Sequence, residues 1–162
     1  MTTVLAGRFT AQMNDPFVVF LIGMRINNWL AVSKWMPTAM AMPPMVQTLR
    51  QHPEKGFLAA EQFFSLREAI MIQYWRSLED LEQFARNPSD PHAEAWKRFN
   101  RAIGSDGSVG IWHETYAIQP GHYESIYVNM PVFGLAAATN HVPVAGRRET
   151  MRGRIGEGIK EG

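Results

Sequence analysis

Two histidines stand where their surroundings make chemistry possible. His92 lies in Asp90-Pro91-His92-Ala93-Glu94-Ala95-Trp96-Lys97-Arg98-Phe99. At helical spacing His92, Trp96, Phe99 and Ile103 share one stripe, which puts an imidazole at the head of an apolar face. The positive end of the helix dipole favours the neutral ring, whose free lone pair is what a metal requires. A surface histidine that merely ends an amphipathic helix has the same pattern. His113 lies in Trp112-His113-Glu114-Thr115-Tyr116. In an extended chain Val109, Ile111 and His113 take one face, and Trp112, Glu114 and Tyr116 the other. A histidine that follows Val and Ile on one face is expected to line a pocket as a general acid or base, or to bond a neighbouring element in a core.

A third group is Tyr123, Ser125, Tyr127 and Asn129, which alternation sets on one strand face as a mixed aromatic and polar wall for a small ligand. A half-exposed strand ending in a turn at Pro131 accounts for it as well. His52, His122 and His141 have no mutual spacing that makes a metal site. Glu61, Glu68, Glu79, Asp80 and Glu82 read as solvated or capping carboxylates, and the ten methionines as core or interface filler. Arg147, Arg148, Arg152 and Arg154 read as part of a solvated terminus, or as a grip on an acidic partner.

These residues need elements to position them. Phe17 to Ile26 is apolar on both faces, as a strand covered on both sides must be. A Met-rich helical region follows from a Ser33 cap to Gln51, and Pro37, Pro43 and Pro44 are expected to break or kink it. Phe57 to Ser65 and Glu68 to Arg76 read as two strands, with Ala69, Met71, Gln73 and Trp75 sharing a face of the second. Ser77 caps a short helix, with Asp80 three residues on. A further helix is predicted from Pro91 to Ile103, with Asp90 as its cap. Val109 to Ile118 and His122 to Asn129 are expected to pair as a hairpin across Gln119-Pro120-Gly121.

The order β, α, β, β, α, β with one added strand predicts an α+β fold, the ferredoxin-like split βαβ arrangement. Residues 1–16 are expected as an N-terminal arm, 17–141 as the domain, and 142–162 as a polar tail that orders only against a partner. A sheet with helices on one face only, yet with strands apolar on both, predicts a homodimer or higher homo-oligomer in which a second copy covers the open face.

Composition narrows the classes of function. The 162 residues carry a formal net charge of +1, which calls for neither nucleic acid nor an anionic membrane. With no cysteine there is no disulfide, thiolate ligand or cysteine nucleophile. The N-terminal residues lack a secretory pattern, and the longest apolar run, Phe17 to Met24, is far too short to span a bilayer. A cytoplasmic protein acting on a small molecule is the expectation.

Three segments together resemble a known family. Gln73 to Ala85, the turn leading to His92, Trp112-His113-Glu114-Thr115-Tyr116, and Tyr127-Val128-Asn129-Met130-Pro131-Val132-Phe133-Gly134-Leu135 are similar to segments of the haem-containing aldoxime dehydratases. That resemblance implies haem b, with His92 as the iron's proximal ligand flanked by Trp96 and Phe99. It implies His113 as the distal catalytic acid/base toward an N–O or O–O bonded substrate, in a pocket shared by Trp112, Tyr116, Tyr127 and Asn129. Members of that family pack two ferredoxin-like halves in one chain, and this sequence has one. The whole chain also resembles small monooxygenase-like proteins of the dimeric α/β-barrel type. This second resemblance implies a cofactor-free monooxygenase or isomerase, in which His113 works with Tyr116 or Tyr127. A non-enzymatic dimer that binds a small ligand is the remaining reading.

Overall fold

The computed structural model describes residues 3–86, 97, 101 and 103–155. His92, Trp96, Phe99 and most of the helix expected from Pro91 to Ile103 lie outside these described residues.

The central element is strand β2 (Phe17–Ile26), which pairs antiparallel with β4 (Glu68–Trp75) on one side and β5 (Val109–Ile118) on the other. Strand β3 (Phe57–Phe64) adds to β4, giving the order β3-β4-β2-β5. Read by position in the repeat, this is the ferredoxin-like sheet, with its first and third strands side by side in the middle. Helices α1 (Val32–Gln51) and α2 (Leu78–Arg86) cover one face. Val46 and Leu49 of α1 and Leu81 of α2 are buried with Val18, Ile22, Phe57, Met71 and Trp75, and Phe84 packs against them. The alternate residues of β2, which point the other way, therefore need a second cover.

Part of that cover comes from a second sheet. Strand β1 (Leu5–Gln12) lies between β6 (Tyr127–Met130) and β7 (Asn140–Pro143). With the short turn Gly134–Ala137 it buries Ala11, Leu135 and Ala136 against Phe17, with Val19 and Tyr74 alongside. Two sequence expectations give way here. The stretch expected as an arm holds β1, the middle strand of its sheet. The predicted turn exists, since His122 N donates to Gln119 O (3.1 Å) and Gly121 has φ 78°, but no hairpin follows it. Instead Thr10 Oγ1 donates to Ser125 O (2.7 Å), Ala11 N donates to Ser125 Oγ (3.0 Å), and Tyr123 OH donates to Met13 O (3.0 Å). These bonds draw residues 123–125 onto β1, and β6 pairs there instead of with β5.

The tail also folds on its own chain. After β7 come the turn Gly146–Glu149 and helix α3 (Met151–Ile155). Arg154 is turned inward, donating to Glu124 Oε1 (2.9 Å) and Arg148 O (2.8 Å). It is a clamp and not part of a solvated terminus.

Helix α1 runs unbroken through Pro37, Pro43 and Pro44, against expectation, and starts without a side-chain cap from Ser33. All three prolines are exposed, and the hydroxyls of Thr38 and Thr48 bond back to Lys34 O (2.9 Å) and Pro44 O (3.1 Å) within the helix. At α2 the expected cap is present: Asp80 N donates to Ser77 Oγ (3.1 Å). No helix among the described residues is long and apolar enough to cross a membrane.

Candidate active site

The alternation of β5 decides which of its side chains meet a ligand. Ile22 pairs with His113 and Phe20 with Thr115, so His113 and Thr115 lie on the helix-covered face. Between that face and helices α1 and α2 is a cavity of ≈ 570 Å³, within the range that holds a small organic ligand. Phe20 and Ile22 form its floor, Met42, Met45 and Leu49 of α1 one wall, and Leu78, Leu81 and Ala85 of α2 another. Its polar groups are few: Gln73, His113 and Thr115 on the sheet, and Glu82 and Arg86 on α2. The His113 ring is tilted against Phe20 at 5.8 Å between centroids. Because β5 is an edge strand, the imidazole is reachable from solvent as well as from the cavity. A neutral histidine at the rim of an apolar cavity can take a proton from a bound molecule and return it.

The other expected site residues do not join it. Trp112 and Tyr116 stand on the opposite face of β5, where Tyr116 OH donates to Glu114 Oε2 (2.5 Å). That bond and the carboxylate charge raise the Tyr116 pKa. Tyr127 is beyond the sheet from the cavity, its hydroxyl accepting from Ala136 N (3.3 Å). Asn129 has φ 52° and its Oδ1 accepts from Gly7 N (3.0 Å), which fixes β6 to β1.

Two groups escaped the sequence reading. Gln73 is a single amide on an otherwise apolar strand face, 5% exposed and lining the cavity; an amide in that pattern was the available signal. On the far side of the sheet, Tyr74, Tyr127 and Glu61 converge beneath Gly134, whose N donates to Glu61 Oε1 (2.9 Å). Glu61 is therefore a structural acceptor, not a solvated group. Burial, then the neighbouring Tyr127 and Glu61 charges, push the Tyr74 phenol up to about 12. Burial likewise raises Tyr127. No sequence signal joined these three, since they come from three strands.

The ferredoxin-like sheet, the second sheet and the cavity between sheet and helices define an α+β ligand-binding architecture. Residues 17–135 match the monooxygenase af470-like family, and the chain belongs to it. Monooxygenase af470 of Aspergillus fumigatus is 30% identical over 151 residues, covering 80% of this chain and 53% of that protein. The chain thus spans about half the length of the curated relative it matches. Among solved structures, an aldoxime dehydratase (OxdRE) in complex with butyraldoxime is similar with TM-score 0.67 and 18% identity, over 86% of this chain and 42% of that one. SnoaB, a cofactor-independent oxygenase from Streptomyces nogalater, is similar with TM-score 0.41 and 12% identity, over 65% of this chain and 94% of that one. The likeness to the dehydratase is one of fold alone.

These findings overturn the expectation of haem b. The family that the chain matches is one of monooxygenases, and the curated relative is a monooxygenase. Among the described residues the cavity wall carries one imidazole, His113, and no group of three or more His, Asp or Glu gathers at a spacing that would hold a metal. The described wall is apolar with a few polar groups.

Proposed function

We propose that the chain is a monooxygenase that needs no haem, and that His113 is its acid/base toward a small, mostly apolar carbon acid held over Phe20. The observation that supports this most is the position of His113 beside Phe20 in a mostly apolar wall. His113 removes a proton from a CH2 group made acidic by a neighbouring carbonyl or phenol. The electron-rich anion reduces dioxygen and a C–O bond forms. His113 then returns a proton to the peroxide, the remaining C–H proton is lost as the O–O bond breaks, and the second oxygen leaves as water. A CH2 becomes a C=O, with one O2 consumed and one H2O released. Tyr116 and Tyr127 take no part, since both face away from the cavity.

Oxygen uptake with a panel of apolar aryl ketones that carry an acidic CH2 tests the reading. Positioned proton transfer contributes roughly 10²–10⁴-fold, so His113→Ala should lose that much while still binding the substrate. Equal uptake by the two proteins, or none by the unaltered chain, would sink it.

A homodimer is part of the same proposal. The face of the sheet away from the helices keeps Trp112 (37% exposed), Phe63 and Tyr116 open beside half-buried Leu21, Ile70 and Ile72. A second copy of that face is the apolar cover it calls for. Light scattering should give twice the chain mass, falling to one chain in Trp112→Glu/Phe63→Glu.

A further inference from the structure

The cavity contains a donor that no bond within the described chain uses fully. Gln73 projects from the middle of β4 and pairs across the sheet with Phe20, which in turn pairs with Thr115. Trp75, which is 0% exposed, donates its Nε1–H to Gln73 Oε1 (2.9 Å). An indole N–H can only donate, so this contact fixes which end of the amide is oxygen. Nε2 is thereby turned the other way. Its one partner among the described residues is Met71 Sδ at 3.3 Å. A thioether is a weak acceptor and takes at most one of the two hydrogens. A buried amide N–H without a good acceptor costs free energy, and a group in that state at a ligand cavity is poised for an oxygen brought from outside.

Geometry limits what that ligand is. Strands lie about 4.8 Å apart, so Gln73 and Thr115, two strands removed, have backbones roughly 10 Å apart, and His113, two residues further along β5, is roughly 12 Å from Gln73. Phe20 fills the space between as a floor. An aromatic or fused-ring ligand lying on Phe20 would meet Gln73 at one edge and His113 at the other.

We propose that Gln73 is a ligand-binding residue of this cavity, its amide N–H donating to a ketone or phenolate oxygen of an otherwise apolar ligand, with Trp75 as the positioning residue that aims it. This rests on the reading of the cavity as the ligand site. With such an oxygen bound opposite His113, the Gln73 N–H would also stabilise the anion formed when His113 takes a proton, since a donor aimed at developing charge helps the charged state most. The other role open to Gln73 is solely to satisfy Trp75, and the two roles make different predictions.

Two probes of nearly equal shape separate them: 2-acetylnaphthalene, which carries a ketone oxygen, and 2-ethylnaphthalene, which does not. Both should bind the unaltered protein. In Gln73→Leu the ratio of ketone to hydrocarbon affinity should fall about tenfold, through the ketone alone, as loss of one hydrogen bond requires. Trp75→Phe, which frees the amide to turn over, should lower the same ratio with the Gln73 side chain still present. Should Gln73→Leu not fold, Trp75→Phe and the carbonyl stretch of the bound ketone decide. That stretch should lie below its value in hexane. An unchanged ratio in a folded variant, or a stretch equal to that in hexane, would overturn the role of Gln73 and leave the cavity as the ligand site. Failure of both probes to bind would overturn the cavity reading, and this proposal with it.

Discussion

The indole of Trp112 occupies the space that a side chain would need at Gly23. A Cβ built on Gly23 would stand 2.5 Å from Trp112 Nε1, and the two residues are direct partners across β2 and β5. Glycine in a strand interior marks close approach, and here the approaching group is the ring that heads the open sheet face.

Gly23→Ala should therefore destabilise the fold by about 1–3 kcal/mol, the usual cost of overfilling a packed site. In a Trp112→Ala background the same change should be close to neutral, because the clash has been removed. Urea unfolding of the four proteins gives the coupling directly.

Tyr74 should resist base. Its phenol is pushed up to about 12, chiefly by burial, against about 10 when unfolded. The unfolded chain thus loses this proton first, and the stability held below pH 10 should drain away as pH rises from about 10 toward 12. Tyr74→Phe should flatten that stretch of the pH–stability curve. Phenolate absorbance in the native protein should show a late-titrating tyrosine that the variant lacks.

Asp106 should resist acid. The Lys34 ammonium, 2.6 Å from Oδ2, comes first among its causes, and Ser108 adds two bonds, so the carboxyl is held down to about 2. Its stabilising contribution is complete above the ordinary carboxylate range and is lost as pH falls from about 4 toward 2. Carboxyl NMR should put the midpoint near 2, and Lys34→Ala should return it toward the ordinary range.

The clamp at the end of the chain should be costly to break from one side. The side chains of Arg154 and Glu124 are 7% and 18% exposed. Removing one partner strands the other charge away from water, so Arg154→Ala should cost about 3 kcal/mol. Arg154→Ala/Glu124→Ala should recover part of it. Thermal unfolding of both variants checks the order.

Filling the cavity should separate ligand binding from folding. Met45 lines it and is half-buried. Met45→Trp should weaken 2-ethylnaphthalene by about tenfold or more by occupying its space, while the urea midpoint moves little.

Much of the fold was legible because local rules fix it. Alternation in β5 put His113 on one face and Trp112 and Tyr116 on the other, as the strand pairing has it. Ser77 capped α2, and the order of strands and helices gave the ferredoxin-like arrangement. These features depend on residues a few positions apart, whose spacing the sequence displays.

Apart from the unbroken helix α1, what went astray depends on residues far apart in the chain. Whether residues 123–130 return along β5 or cross to β1 turned on Thr10, Ala11 and Met13, more than 100 positions earlier. The same crossing carried Tyr127 and Asn129 away from His113, although a strand face had grouped them with one another. Gln73 gained its aim only when Trp75 was buried against it and the α1 and α2 side chains closed over both. Sequence by itself determined which residues share a face and what chemistry each brings. Only the tertiary structure decided which faces meet, because a face's partner is set by packing across the whole chain and not by the period within one strand.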